Sequence, residues 1–530
     1  MPRLALGTRA LSSYSGDTVV IGLTAAKPAK TSRKKASTAL PEVVTSVELG
    51  DELAKGVAAA VEVLDPSTAV GATTVAPAPA GLKAKKLLLV GLGDGEVTTD
   101  SLRRAAGNAA RACAKDSSIR LLLPHDDASG LAAIADGALG GAYTFTAHKS
   151  KPTEATLGTI EIGTSLGRSD SPKDVLAHAE TVGRAVAWAR DLVNTAPNLL
   201  YPQSFADTVK DVVGASSGKV TLKVLDDKAL AKGGFGGIVG VGQGSSRPPR
   251  IVEMTYKPAR AKGKKVALVG KGITFDTGGV CIKPAASMAT MKSDMAGAAA
   301  VAATVVAAAE LGLPVAVTGY LCLAENMPGG NAQRPGDVVT MRNGMTVEIL
   351  DTDAEGRMVL ADGMCLAAEN GAEVILDIAT LTGACMVALG PDVFGVMGND
   401  DDVRAQVADA SAAVDEPSWP LPLPADLRPG LDSFVADIAH KADRWGGALT
   451  AGLFLQEFAK TAEGEQIPWA HLDIAGPSFR DGGPAGHLTK GGTGVGVATM
   501  KSDMAGAAAV AATVVAAAEL GLPVAVTGYL

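Results

Sequence analysis

Short apolar, β-branched runs alternate with alanine-rich stretches of helical spacing along most of this chain. In the first third, TVVIGL (18–23), KKLLLVGLG (85–93) and SIRLLLP (118–124) read as strands, and DELAKGVAAAVEVL (51–64) and SLRRAAGNAARACAKD (101–116) as helices. Such alternation implies α/β units around a largely parallel sheet, whose buried strands appear as continuous apolar runs. A long helical pattern, KDVLAHAETVGRAVAWARDLVN, then stops before Pro197, because the residue ahead of a proline disfavours the helical region. Beyond it KKVALVGKG, PVAVTGYLCLAE, VEILDTD and AEVILDIATLTG read as strands, with helices predicted over 295–311 and 357–369. The expected fold class is α/β. A smaller N-terminal α/β domain (1–168) is joined by a long linking helix (169–198) to a larger C-terminal α/β domain (199–497) with a mostly parallel central sheet.

The rest of the chain breaks this pattern. The segment ATMKSDMAGAAAVAATVVAAAELGLPVAVTGYL at 289–321 recurs letter for letter at 498–530. Natural repeats diverge, and two identical segments so far apart are not a short-period array. The second copy is expected to be a non-native tail.

Composition narrows the function classes. Acidic residues exceed basic ones by 56 to 48, a formal charge of −8, so the whole chain offers no attraction to nucleic acid or anionic lipid. Lys27, Lys30, Arg33, Lys34 and Lys35 cluster in one loop, read as a solvated loop with an interaction arm as the alternative. The five cysteines are odd in number, sparse and without CxxC spacing, so neither a disulfide framework nor a structural zinc site is indicated, which fits a reducing compartment. The N-terminus lacks a sustained apolar core, and no stretch reaches the ~18 uninterrupted apolar residues of a membrane span. A soluble, cytoplasmic protein with no membrane partner is expected.

Candidate chemistry gathers in three stretches. VGKGITFDTGGVCIKP (269–284) sets Lys271, Asp276 and Lys283 among glycines after a strand, where ligands of open α/β sheets collect. VEILDTDAEGR (347–357) brings Asp351, Asp353, Glu355 and Arg357 to the end of another. Asp353 and Glu355, two apart, project to one side of extended backbone. Three acidic groups this close repel one another unless a cation sits among them, and a divalent metal is the economical answer. Asp294, before an alanine-rich helix, is by itself a helix cap; with the other carboxylates it can complete a two-metal site. A calcium hand is a poor alternative, since a strand rather than a helix leads into DTDAEG. GLGDG (91–95) lacks the spacing of a dinucleotide loop. No histidine lies in these motifs.

In combination GKGITFDTGG, MKSDMAGAAAV and DTDAEGRMVLAD resemble the leucine (cytosol) aminopeptidases, and the likeness extends through RDLVNTAPN, GVGQGSSRPP, ENMPGGNAQRPGDV, ATLTGA and WAHLDIAGP. The resemblance implies a two-metal exopeptidase that removes N-terminal residues, leucine or similar apolar ones, from peptides with a free N-terminus. Lys271, Asp276, Asp294 and Glu355 would hold one divalent ion, and Asp276, Asp353 and Glu355 the other, manganese or zinc in each. Lys271 would have to be neutral to ligate. Lys283 would polarise the scissile carbonyl, and Arg357 would hold a bicarbonate acting as general base. Met291, Thr380 and Gly383 would line the pocket for the first side chain. The resemblance also implies a homohexamer. Cys281, Ser293 and Asp351 depart from common family residues, which bears on substrate preference rather than on reaction class. Two readings of other classes stand beside it: a two-metal phosphoesterase, and a non-catalytic scaffold or nucleic-acid-binding protein.

Overall fold

The computed structural model describes residues 1–26, 40–152, 155–484 and 486–498. The basic cluster at 27–35 and the second copy of the repeat from residue 499 onward lie outside the described residues. Two compact units emerge, one formed by 1–187 with 481–490 and one by 188–480 with the chain from 491. The long predicted helix is present as Pro172–Asn194, and the division between the units falls within it.

In the first unit, one sheet runs in the order Arg3–Leu6, Thr159–Ile162, Ser118–Leu122, Thr18–Thr24, Lys86–Gly91, Thr73–Pro77. Along this path the pairings are parallel up to Lys86–Gly91, Thr73–Pro77 closes the edge antiparallel, and Glu42–Val44 pairs antiparallel with the end of Thr18–Thr24. Alternation along the central strand explains why that strand is apolar throughout. Val19, Ile21 and Leu23 pack with Leu53, Val57 and Val61 of the helix Asp51–Leu64, while Val20 packs on the other face with Ala105 and Ala109 of Thr99–Ala112.

The second unit is built on an eight-stranded sheet in the order Ser418–Pro420, Phe394–Gly398, Trp469–Asp473, Val374–Ala379, Val266–Asp276, Val317–Asn326, Arg250–Tyr256, Val220–Leu225. The four middle strands are mutually parallel and the flanks bring in antiparallel pairings. Two helices sandwich this centre. Gly356–Glu369 packs Met358, Val359 and Leu360 in one cluster with Ala267 and Val269. On the other face Gly270 lies against Ala298 of Ala296–Glu310. The stretch Met291–Glu310 is apolar enough to cross a membrane, but 94% of its most apolar 18-residue window is buried inside the protein, as befits a core helix.

VEILDTD is not a strand of this main sheet. Only Thr346–Glu348 is extended, pairing with Val338–Thr340 and Ile438–Ala439 in a separate three-stranded sheet. Residues 351–354 then form a turn, closed by Ala354 N–H donating to Asp351 O at 3.1 Å, and Glu355 already has helical backbone. Asp353 and Glu355 therefore converge because a turn runs into a helix, and not by strand alternation. A second correction concerns Asp294. It ends the short 3-10 helix Met291–Ser293, the cap position of the following helix is Met295, and no side chain caps that helix. The carboxylate of Asp294 is committed elsewhere.

Candidate active site

The carboxyl ends of the parallel strands carry the site. Lys271 and Asp276 stand on Val266–Asp276, Asp294 begins the connection to the next helix, and Glu355 leads into Gly356–Glu369. Lys271, Asp276, Asp294 and Glu355 are all at most 5% exposed. The Lys271 ammonium lies 2.8 Å from Asp294 Oδ1 and 3.0 Å from Glu355 Oε1, and donates to the Thr380 carbonyl at 2.8 Å. Lys283 bridges the opposite side, 2.8 Å from Asp276 Oδ2 and 2.5 Å from Asp353 Oδ1. Ligand atoms of Asp276, Asp353 and Glu355 lie within 4.8 Å of one another, a grouping that could hold a metal ion.

The turn after the strand is shaped for this approach. Gly278 has φ +86°, and a Cβ there would stand 2.8 Å from Asp353 Oδ1, so only glycine fits. Its N–H donates to Asp276 Oδ1 at 2.8 Å, and Asn326 Nδ2 donates to the same oxygen at 2.8 Å. Asn326 also donates to the Thr352 carbonyl, and the Thr352 hydroxyl donates to Gly278 O, so the two carboxylate-bearing turns are stitched together. The Thr380 hydroxyl donates to Asp294 Oδ1 at 2.7 Å.

Four carboxylates, all but Asp353 buried, crowd together with two lysines, and the imbalance is visible in Asp276 and Asp294. Burial, with the charges of Glu355 and Asp294, raises Asp276 to about 8, and burial raises Asp294 to about 6 against the opposing pull of Lys271. Burial pulls Lys271 down, but Asp294, Glu355 and Asp276 together hold it above the ordinary lysine value. Among protein groups alone, then, Lys271 is an ammonium; a neutral, ligating amine requires other cations to neutralise the carboxylates. Asp294 Oδ2 and Glu355 Oε2 are buried with no hydrogen-bond partner among the described residues. An orphaned carboxylate oxygen out of water is costly, and a coordinated cation satisfies it. The residues present thus fit divalent metal ions, with hard oxygen donors suiting manganese or magnesium as well as zinc.

Arg357 is buried, with Nη1 donating to the His440 carbonyl at 2.8 Å and Nε unpartnered among the described residues. Burial lowers its pKa to about 10. Of the pocket candidates, Thr380 touches the cluster directly. Met291 opens the short helix that ends at Asp294, and Gly383 begins the helix Gly383–Leu389. Asn326, Thr352, His440 and Asp473 are structural members of this region that no motif reading singled out. Asp473 accepts from Leu381 N, Thr382 N and the Thr382 hydroxyl, pinning the loop that presents Thr380. Asn326 had a faint signal, a polar residue closing a long apolar strand; His440 had none.

Comparison with known proteins agrees with this geometry. The model of the cytosol aminopeptidase family catalytic domain matches residues 187–500, and that of its N-terminal domain residues 21–152. A probable cytosol aminopeptidase of Streptomyces griseus subsp. griseus is 49% identical over 524 residues, covering 94% of this chain and 98% of the relative. Among solved structures, the bottromycin maturation enzyme BotP in complex with Mn is similar at 35% identity and a TM-score of 0.80, covering 93% of this chain and 100% of that one. A mutant of the tomato leucine aminopeptidase is similar at 31% identity and a TM-score of 0.82, covering 95% of this chain and 96% of that one. A buried carboxylate cluster that calls for metal, at the strand ends of a fold shared over nearly the whole chain, leads to one conclusion: this chain belongs to the cytosol aminopeptidase family and is a metal-dependent aminopeptidase.

Proposed function

We propose that the protein removes leucine or a similar apolar residue from the free N-terminus of peptides, with two divalent ions in the Asp276–Asp294–Asp353–Glu355 cluster. The observation that carries this reading is the pair of buried oxygens without a hydrogen-bond partner among the described residues, Asp294 Oδ2 and Glu355 Oε2, on carboxylates that both pair with Lys271 through their other oxygen. Lys271, Asp276, Asp294 and Glu355 hold one ion, and Asp276, Asp353 and Glu355 the other, so that Asp276 and Glu355 serve both. Manganese is the first candidate, since it is the metal in the related BotP complex, and zinc the second. Such ions supply Lewis acidity and lower the pKa of bound water.

The chain's own groups then divide the work. Lys283, at the more open edge, paired with Asp276 and Asp353 and held charged against the opposing effect of burial chiefly by Asp276 and Glu355, is placed to stabilise developing negative charge on the scissile carbonyl oxygen. Arg357 offers a guanidinium fork to a small oxyanion, bicarbonate in this reading. Met291, Thr380 and Gly383 line the pocket for the first side chain. A homohexamer in the cytoplasm completes the proposal by family likeness. The phosphoesterase reading gains no support, because the cluster among the described residues contains no histidine.

The deciding experiment strips the protein of metal and restores it with Mn, Zn, Co or Mg salts. Hydrolysis of leucyl p-nitroanilide should vanish and return, with two ions bound per chain at full activity. Full activity with a single ion bound would overturn the two-ion assignment.

A further inference from the structure

The turn that aims Asp353 into the cluster is held from outside by a segment eighty-odd residues later in the chain, and His440 is its centre. The short strand Ile438–Ala439 runs parallel to Thr346–Glu348, with Glu348 opposite Ala439, which brings the next residue, His440, alongside 349–351. His440 is 1% exposed. Its Nε2 lies 2.7 Å from the Asp351 carbonyl, which can only accept, so Nε2 carries the proton. Its Nδ1 then accepts from Leu350 N–H at 3.2 Å and lies equally close, at 3.2 Å, to the Glu348 carbonyl oxygen. The His440 N–H donates to Glu348 O at 3.1 Å, and the His440 carbonyl accepts from Arg357 Nη1. Lys441 pairs with the Asp351 carboxylate, whose Oδ1 accepts from Asp353 N–H at 3.0 Å. One residue therefore fixes both ends of the path from strand to site, the turn before Asp353 and the guanidinium after Glu355.

We infer that His440 is a positioning residue that aims Asp353, and with it one of the two metal positions, by clamping the 350–351 backbone through both imidazole nitrogens. The Leu350 contact requires a neutral ring, since a protonated Nδ1 would turn from accepting Leu350 N–H to donating to the Glu348 carbonyl. Burial, with the nearby charge of Arg357, keeps the ring neutral down to a pKa of about 4. The inference rests on the metal-ligand reading above and adds a residue type and a sequence position that carry no ligand atom themselves. Groups that orient metal ligands typically change metal affinity about 10- to 100-fold when lost.

The test is titration of the metal-stripped full-length protein with MnCl2, followed by calorimetry. The unaltered protein should bind two ions. His440→Phe should bind one ion with unchanged affinity and the other about 10- to 100-fold more weakly. His440→Gln, which keeps a donor and an acceptor on a side chain of similar reach, should recover most of the loss. Should the Phe variant fail to fold by near-ultraviolet dichroism, His440→Asn, whose amide is too short for the Asp351 carbonyl, carries the same expectation. Two ions at unaltered affinity in the Phe or Asn variant overturn the inference, as does a Gln variant no better than Phe. Asp353→Asn separates this from failure of the ligand reading. If it weakens one ion while His440→Phe weakens none, only the clamp falls; if it weakens neither, the ligand assignment falls.

Discussion

Glu355 and Lys283 occupy the same few ångströms but should fail in different ways. Glu355 is 2% exposed, pairs with Lys271 through Oε1, and leaves Oε2 without a hydrogen-bond partner among the described residues. If it serves both ions, Glu355→Ala should abolish binding of both and remove activity while the fold survives. Two ions per chain by elemental analysis in that variant would exclude the bridging role. Lys283 makes its contacts at the rim and holds no ion in this scheme. Lys283→Ala should keep both ions and lower kcat by about 100- to 1,000-fold, the usual cost of losing one oxyanion donor, with KM changed little. A change confined to KM would make Lys283 a binding residue instead. These two residues were legible from motif and spacing because their chemistry is local: a lysine and carboxylates beside glycines at strand ends. Thr380 was placed only in the side-chain pocket, yet its carbonyl and hydroxyl face Lys271 and Asp294, a contact across more than eighty residues that no spacing encodes. His440 is the extreme case, a polar residue in an unremarked loop whose partners are almost entirely backbone atoms.

At the scale of elements, apolar periodicity served well wherever a strand is buried on both faces. Val374–Ala379 falls within its apolar run, and Val266–Asp276 and Val317–Asn326 begin in theirs and continue past the end, by four residues and by one. It failed at VEILDTD, because a run of that length is as compatible with a short edge strand plus a turn as with a long core strand. The contact between the helix Ala296–Glu310 and the sheet was equally hidden, since it depends on an absence of side chain. A Cβ on Gly297 would meet Ile378 O at 2.0 Å, backbone that cannot move aside as a flexible side chain could. Two effects oppose each other in Gly297→Ala. Alanine favours a helix over glycine by about 1 kcal/mol, whereas overpacking a core typically costs about 1–3 kcal/mol. With carbonyl and helix backbone in direct collision, the clash should win, shifting the helix and Asp294 three residues before Gly297 in the chain. Urea unfolding of the metal-free protein should show a lower midpoint at unchanged slope. A midpoint equal to or above that of the parent would mean that the helix does not sit this close to the sheet.

The whole molecule answers the question posed by its repeated segment. The first copy is committed to the core: Ala296–Glu310 is buried along nearly its whole length, Val317–Asn326 is an inner strand, and Asp294 meets Lys271 and Thr380. A core holds one such helix and strand at that place, and the place is filled by 289–321. The second copy repeats the letters without the surroundings, since no second GKGITFD stands ahead of Asp503 as the first stands ahead of Asp294. A single aspartate does not hold a divalent ion against water, so by its chemistry Asp503 is not expected to be part of the metal site. The residues assigned to the site all fall between Lys271 and Arg357, with Thr380, Gly383 and the supporting His440 and Asp473 beyond, and the family's catalytic-domain match ends at residue 500. Truncation after Val497 should therefore leave two ions per chain, leucyl amide hydrolysis and the thermal midpoint unchanged. Solubility should stay equal or improve, because PVAVTGYL is an apolar, β-prone stretch that is an aggregation hazard wherever it is unpaired. Loss of both metal ions on truncation would show instead that the second copy contributes to the working site, and would reopen the assignment of Asp294.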